Sequence, residues 1–378
     1  MRYELIHFCE IDGEAVKSYC TIHNENNGKN LGNIEDVDEK KLKTFNFMVG
    51  GTPCQDFSIS GARKGAVWKC RNCNTEYNPL TVVAEKRKHC PNCQSDDIEK
   101  TRSSLLVEWL RILKCVRPDV AIYENVKNIL STSFNKMFGL FIEELMSYGY
   151  NVYMGVLNSK GFGIPQNRER LYIVIINQSL DNGKFKFPDQ EENIGNLNDF
   201  LLPVDESQFY ETRMPNIYID QRIKPSVRKV YEENIENIIT CKKDMYQCQV
   251  KSGFQDCKVG LTLAPTLRAG NPHTAVFDGK RIRRLEPLEN MLLMGFEKAD
   301  YEKMKDAGVS NAQIYKQTGN SIVVNVLLAI YRKLYIAMPY LFEDIRLGSF
   351  FSGIGAFEKA FTILKNEVEG DEKNETWK

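Results

Sequence analysis

The chain has 378 residues, enough for two domains with a sizeable core, and its 42% hydrophobic and 26% charged residues suit an ordinary globular protein. Lys plus Arg and Asp plus Glu are 50 each, so the formal net charge is zero, and a polyanionic partner must be gripped by a local basic surface. Residues Met1 to Phe8 carry no signal-peptide pattern, no apolar run reads as a membrane span, and the eleven cysteines, four at metal spacing, argue for a reducing cytoplasm over disulfides.

The first half alternates strands and helices. Strands are expected at Tyr3 to Phe8, Phe45 to Val49, Val120 to Tyr123, Asn151 to Leu157 and Leu171 to Ile176. Helices are expected at Gly13 to Asn24, Leu105 to Val116 and Phe134 to Tyr148. That alternation predicts a mainly parallel α/β sheet covered on both faces. From about Asp181 to Ile282 the rhythm fails in a polar, Asn-, Lys- and Glu-rich stretch, read as a separate, smaller, irregular domain. Helical patterning returns at Leu285 to Met294 and Ser321 to Ile336, the latter capped by Gln317 to Ser321. The last segment, Ile345 to Phe357, is an apolar strand running into the glycine turn Phe351-Ser352-Gly353-Ile354-Gly355, followed by a helix over Glu358 to Leu364. A nucleotide-binding sheet usually begins this way.

Two pairs, Cys70-Arg71-Asn72-Cys73 and Cys90-Pro91-Asn92-Cys93, stand sixteen residues apart. Cys70, Cys73, Cys90 and Cys93 suit a tetrahedral four-thiolate zinc ribbon with a small hairpin over Thr75 to Lys88. Four filled positions mean a structural metal, since a catalytic zinc keeps one open. His89 reads as a solvated neighbour.

Cys54 follows the strand ending in Val49-Gly50-Gly51-Thr52-Pro53, so it stands at a strand's carboxyl end, where open α/β sheets bind ligands. Glu124 ends another strand, in Tyr123-Glu124-Asn125-Val126. Pro165-Gln166-Asn167-Arg168-Glu169-Arg170 precedes a third, and Gln317-Thr318-Gly319-Asn320-Ser321 stands near a long apolar helix. Singly, each has a plain structural reading: a small buried cysteine, a helix-cap carboxylate, surface ion pairs.

Together, Pro53-Cys54-Gln55, Glu124-Asn125-Val126, Gln166-x-Arg168-x-Arg170 and Gly319-Asn320-Ser321 resemble the DNA cytosine-C5 methyltransferases, in the family's order. The family's opening Phe-x-Gly-x-Gly lies last, at Phe351 to Gly355, so the resemblance implies a circularly permuted, Rossmann-like S-adenosylmethionine-dependent sheet. The polar tail Glu367 to Lys378 would be the opened loop. It implies Cys54 as nucleophile on cytosine C6 and Glu124 as the carboxyl on the N3/N4 edge, with a pKa raised when DNA binds. It implies Arg170 on the cytosine O2 and Arg168 in support. Gln55, Ser58 and Ser60 would touch DNA or fill the gap left by the flipped base, and Thr266-Leu267 matches a pair of the target-recognition region. The cofactor would meet Phe351, Gly353, Ile354, Gly355, Glu10, Ile11, Asn33, Ile34, Asn320 and Ser321. Asn33 replaces a frequent aspartate and Ile11 a frequent aromatic, which implies weaker cofactor binding. Leu288 replaces a frequent arginine, which implies a looser hinge.

The implied layout is a catalytic domain over 1–182 and 313–378, a zinc ribbon over 66–101, a target-recognition domain over 183–282 and a hinge over 283–312. The implied partner is duplex DNA, with no membrane, action as a monomer in a bacterial or phage-infected cell, and a cognate restriction enzyme sharing the site without stable complex. The ribbon reads as a DNA contact that travels with the loop after Pro53-Cys54-Gln55, its Arg71, Lys86, Arg87 and Lys88 reaching phosphates, or as a rigid spacer. Lys280 to Arg284 reads as a phosphate contact or a solvated face. The competing substrate is tRNA, whose cytosine methyltransferases share this catalytic set. A non-catalytic zinc-containing DNA-binding relative is the more distant alternative.

Overall fold

Apolar runs of four to nine residues, each broken by glycine, proline or Asx turns, fold here as strands, and the amphipathic runs between them as helices. The computed structural model describes residues 1–53, 67–190, 195–248, 257–269 and 274–371. In chain order the N-terminal elements are β1 (Arg2–Cys9), α1 (Gly13–His23), β2 (Phe47–Gly50), β3 (Trp68–Cys70), β4 (Glu76–Tyr77), β5 (Ile98–Lys100), α2 (Leu106–Val116), β6 (Val120–Val126), α3 (Asn135–Ser147), β7 (Tyr150–Asn158), β8 (Gln166–Asn167) and β9 (Glu169–Asn177). There follow β10 (Phe209–Glu211), β11 (Tyr218–Asp220), α4 (Pro225–Glu233), α5 (Ile235–Ile239), β12 (Met245–Cys248), β13 (Cys257–Gly260), β14 (Ala264–Pro265), β15 (Thr274–Phe277) and β16 (Arg281–Arg283). The chain continues through α6 (Pro287–Leu292), α7 (Lys298–Asp306), α8 (Asn311–Asn320), α9 (Val324–Ala337), β17 (Asp344–Phe350) and α10 (Ala356–Asp371).

These elements form two compact units. The first, Met1–Leu157 with Glu169–Pro188 and Leu328–Lys378, is built on a sheet of order β1-β17-β2-β6-β9-β7. β1, β17, β2 and β6 run parallel, and β9 is antiparallel to β6. β17 is therefore central: Leu347 pairs with Leu5 on one side and Phe47 on the other. Strands β2 and β6 are almost wholly buried, as expected under helices on both faces. α2 buries Leu106, Val107, Trp109, Leu110, Ile112 and Leu113 in the core that also takes Met48, Ala121 and Phe141. α10 runs to Asp371, and Glu367 on it pairs with Arg332, so the start of the expected polar tail, 367–371, is helix.

The second unit is Asn158–Arg168 with Asp189–Leu327. The stretch read as irregular carries a six-stranded sheet of order β10-β11-β16-β15-β13-β12. Its strands are three or four residues long, too short for an alternating pattern to show. Ile219, Ile223, Val227, Tyr231, Ile235, Ile238, Val259 and Ile282 make its core. Segments 158–168 and 313–327, expected with the sheet domain, group here. One reason is that Gln166 is wholly buried, its amide donating to Leu293 O at 2.8 Å and its oxygen accepting from Leu267 N at 3.1 Å.

Gln317 to Ser321 do not cap the apolar helix: they are the last turn of α8 and its C-cap, and α9 begins after a break, with Val324 N–H on Met294 O. The stretch Asn311–Ala337 is long and apolar enough to match a membrane span, but the break at Ser321 and buried residues such as Val323, Leu327, Ile330 and Leu334 make α9 a core helix.

Candidate active site and metal centre

At the carboxyl edge of the first unit's sheet, β2 ends in Gly50, Gly51 follows, and both are closely approached by neighbouring atoms. A Cβ at Gly50 would stand 2.8 Å from Phe350 O and from the Trp109 indole nitrogen, and one at Gly51 would stand 2.9 Å from Glu124 Oε2. The pair lets the chain leading to Pro53 pass against Glu124. Cys54, Gln55, Ser58 and Ser60 lie outside the described residues.

Glu124 lies within β6, which runs on to Val126, and not at its end. Its carboxylate is largely buried and meets Arg170 Nε at 3.2 Å, because Val126 pairs with Arg170 across antiparallel β6 and β9. Asn125 is 1% exposed. Its amide donates to Thr52 O at 3.3 Å, Thr52 Oγ1 at 3.2 Å and the Tyr123 hydroxyl at 3.1 Å. Thr52 and Tyr123 also share a hydroxyl–hydroxyl bond. Sequence reading missed this clasp; its signal was the polar run Tyr123-Glu124-Asn125 near the end of an apolar strand.

Arg168 sits in the second unit and is buried there. Its guanidinium donates to Leu267 O at 2.9 Å, Gly319 O at 3.2 Å and Ser321 O. Arg168 and Arg170, two residues apart, thus serve different units. Thr266 donates its hydroxyl to Asn167 O, Leu267 is buried, and Asn320 and Ser321 stand at the break after α8. Gly319 permits the close passage of 268–269, since a Cβ there would stand 2.1 Å from Ala269 N.

Most of the Lys280 to Arg284 run is engaged within the second unit, while Lys280 stays exposed. Arg283 is 1% exposed and forms a two-bond pair with buried Glu289 at 2.7 and 3.0 Å. Arg281 pairs with Asp278 and Glu206, and Arg284 lies 5.1 Å over the Tyr315 ring.

The glycine turn after β17 faces the end of β1. Glu10 accepts from the amides of Ile11 and Asp12, and from Gly353, all at 2.9 Å. Phe351, Gly353 and Gly355 have φ of 57°, 55° and 79°. At Gly353 a Cβ would meet nothing, so its backbone angle alone calls for glycine. At Gly355 a Cβ would stand 2.0 Å from His23 Nε2, which bonds Ile354 O at 3.0 Å. Ile11 is 75% exposed beside this turn. Asn33 opens a short turn over Ile34–Asp36, its side chain on Glu35 N, and the Cys9 thiol donates to Gly32 O. A carboxylate has about four acceptor sites and three amides use three of them, so Glu10 can still accept from a ligand hydroxyl beside the glycine turn.

The ribbon brings Cys70, Cys73, Cys90 and Cys93 together, all four sulfurs within 4.8 Å of one another. Cys70–Cys93 and Cys73–Cys90 approach to 3.5 and 3.6 Å, near the roughly 3.8 Å edge of a tetrahedral four-thiolate zinc site. Both CxxC turns close alike: Cys70 N bonds Thr75 O, Cys90 N bonds Ser95 O, and Asn74 and Gln94 take positive φ. Bonds to Thr75 lower the Cys73 thiol to about 5. Cys93 goes the other way: the Ser95 amide favours its thiolate, but the crowding sulfurs raise it to about 11. A dication removes that conflict.

The expected hairpin over Thr75 to Lys88 is not there. β3 pairs with β4 and β5, while 79–86 forms two short turns with Val83 exposed. Nor is Arg87 available to phosphates. It is buried and donates to Pro79 O, Val82 O and both oxygens of Glu144 on α3. Trp68 donates to Ser104 at 2.7 Å, Glu85 pairs with Lys114, and Trp68 and Leu80 belong to the main core. The ribbon is fastened along α2 and α3, as a spacer would be.

The family model for C-5 cytosine-specific DNA methylases matches residues 1–77 and 92–335. The chain is 29% identical to the orphan methyltransferase M.SPBetaI of Bacillus phage SPbeta over 408 residues, covering 88% of this chain and 92% of that protein. It is 30% identical to the type II methyltransferase M2.ScrFI of Lactococcus lactis subsp. cremoris, covering 86% and 76%. Among solved structures it resembles the S. pombe Dnmt2 methyltransferase, with a TM-score of 0.55 at 16% identity over 88% of this chain and 91% of that one, a likeness of fold.

Proposed function

The chain belongs to the C-5 cytosine-specific DNA methylases, which methylate C5 of cytosine in DNA, and from that membership we propose how its own residues divide the work. Cytosine C5 is a poor nucleophile until C6 carries an added group. The Cys54 thiolate adds to C6. Glu124 holds the N3/N4 edge and delivers a proton to N3 as the sulfur adds, so C5 becomes enamine-like. Arg170 holds both Glu124 and the base O2. S-adenosylmethionine, when bound, supplies the methyl group. Loss of the C5 proton then lets C5=C6 re-form and the Cys54 sulfur leave. The base must be flipped out of the duplex for this chemistry, with Gln55, Ser58 and Ser60 at the gap. The observation that carries the reading is the Glu124–Arg170 pair at 3.2 Å, packed against the Gly51 passage that leads to Cys54.

On the cofactor side, Glu10 would bind the ribose hydroxyls, the 351–355 turn and Ile11 would line the pocket, Asn33 and Ile34 would meet the adenine, and Asn320 and Ser321 the methionine end. The four cysteines would hold zinc as a structural ion. Circular permutation is supported by β17, which carries the glycine turn in a central place between β1 and β2, beyond the matched residues. The second unit's six-stranded sheet, with Thr266, would read the sequence around the target cytosine. Arg168, bonded to three carbonyls of that unit, acts as its support.

The test is transfer of labelled methyl from S-adenosylmethionine to mixed-sequence duplex DNA, with tRNA as a second acceptor and Cys54→Ser as control. Label on cytosine C5 in one short DNA context, absent in the control, is expected. Transfer to tRNA alone would replace the substrate, and a label that survives in Cys54→Ser would overturn the nucleophile.

A further inference from the structure

Gly32 and Asn33 lead into a single 3₁₀ turn over Ile34–Asp36, too short to hold itself. What fixes it comes from elsewhere in the first unit. Arg111 on α2 donates to Ile34 O at 3.0 Å and Val37 O at 2.9 Å, and its Nε donates to Glu108 at 2.8 Å. From the ribbon, the Lys100 ammonium lies 2.9 Å from Glu108 and 3.1 Å from Glu35. One cation at the end of β5 thus joins the turn to α2, and a second closes the same junction from α2. Lys100 and Arg111 are 27% and 23% exposed, and Glu108 only 8%, so these bonds are partly desolvated and stronger than surface pairs. Lys100 is fixed in its turn by the ribbon. It pairs with Trp68 across β5 and β3, its ammonium lies 5.0 Å from the Trp68 ring centroid, and β3 ends at Cys70. A continuous path of bonded groups runs from the thiol cluster to the carbonyl of Ile34.

We propose that the metal-loaded ribbon works on the cofactor side of the enzyme: through Lys100 and Arg111 it holds the Gly32–Ile34 turn in the shape that receives the adenine end of S-adenosylmethionine. This rests on the reading of Asn33 and Ile34 as adenine contacts. Lys100 and Arg111 are positioning residues that act through backbone carbonyls and Glu35. The rival role, a grip on DNA, keeps the exposed Lys86 and Lys88 but loses two of its four expected cations. Arg87 is taken by Glu144, and Arg71 faces Asp97 and Glu99 at 3.5 and 4.0 Å.

The test measures S-adenosylmethionine binding by calorimetry without DNA, and duplex DNA binding without cofactor. The samples are zinc-loaded wild type, zinc-stripped wild type, Lys100→Met and Lys100→Arg. Lys100→Met should weaken cofactor binding roughly tenfold, the scale of one lost charge-assisted bond. DNA affinity should not move, and Lys100→Arg should recover most of the loss. Stripping zinc should cause a similar loss in wild type and add little in Lys100→Met. Full cofactor affinity in Lys100→Met, or equal loss of cofactor and DNA binding, would overturn the proposal; full affinity after stripping would overturn the metal's part in it. If stripping unfolds the chain, Lys100→Met, which keeps all four thiols, decides alone. Zinc-loaded wild type that binds no S-adenosylmethionine would refute the cofactor reading instead.

Discussion

At the carboxyl edge of the main sheet, Glu10 takes three backbone amides and Gly51 and Gly355 leave no room for a Cβ, whereas in the ribbon Arg87 reaches Glu144, 57 residues on, through side chains alone. The edge is held by backbone geometry, which one atom can ruin. The ribbon is held by separable ion pairs around a cluster of four thiols that could take a metal, and each pair can be removed singly. The edge should therefore fail abruptly under substitution, and the ribbon by degrees.

The largest effect is expected at Gly355. Alanine there faces both a φ of 79° and the His23 ring, for a combined cost of about 4 kcal/mol. Thermal unfolding and cofactor calorimetry should both register it. Adding His23→Ala removes only the contact, so recovery should be partial; full recovery would show that the backbone angle matters little and would break the contrast. Next comes Arg87→Met, which leaves Glu144 buried without its cation and should cost about 3 kcal/mol in urea unfolding. The double variant with Glu144→Leu should cost clearly less than Arg87→Met alone, because the uncompensated charge has gone. Equal costs would show that the ribbon is held by packing of Trp68 and Leu80 and not by the pair.

Asn125→Ala removes the clasp on Thr52 and should cost about 2 kcal/mol. Because the clasp stands just ahead of Cys54, kcat for methyl transfer should fall while S-adenosylmethionine affinity holds. A fall in affinity with unchanged kcat would move Asn125 to the cofactor side.

The smallest effect concerns a carboxyl with no cation partner among the described residues. Glu358 on α10 is fully buried and accepts from the Tyr19 hydroxyl at 2.9 Å. Burial raises its pKa, although bonds to Ser349 and Tyr19 work the other way. A raised folded-state pKa means that its contribution is complete below the ordinary glutamate range and is lost as pH rises through the folded value. Wild type should thus lose stability against Glu358→Gln as pH rises above that range, by no more than about 1.4 kcal/mol per pH unit. Parallel curves for the two proteins would show that Glu358 does not titrate in the folded state.

The same contrast explains what could be read from sequence. The edge was legible because its parts are short and local: a strand, then Gly50-Gly51, then Glu124 or Gly353-Ile354-Gly355, each carrying its own turn signal. The four cysteines were legible for the same reason. The distant partners of Arg87 and Lys100 were not, because no spacing rule links a residue to one found 57 or 65 positions away. The second unit's sheet was hidden by its strand length. Lys280 to Arg284 looked like a basic surface because five residues in sequence cannot reveal that Glu289 and Asp278 are waiting for them.

The central place of β17 has a consequence for how the chain is made. Leu347 pairs with Leu5 and with Phe47, so β1 and β2 wait for a neighbour synthesised about 300 residues after β2. At ordinary translation rates that is roughly 15 to 60 seconds. During that time β2 keeps an open edge and β1 has no place in the sheet, a state prone to mispairing with other chains. Ribosome-bound chains halted before Asp344 should be cut by protease within β1 and β2, and chains released after Leu364 should not. Production of this enzyme would then be limited by how well nascent chains are kept apart, more than by the stability of the finished fold.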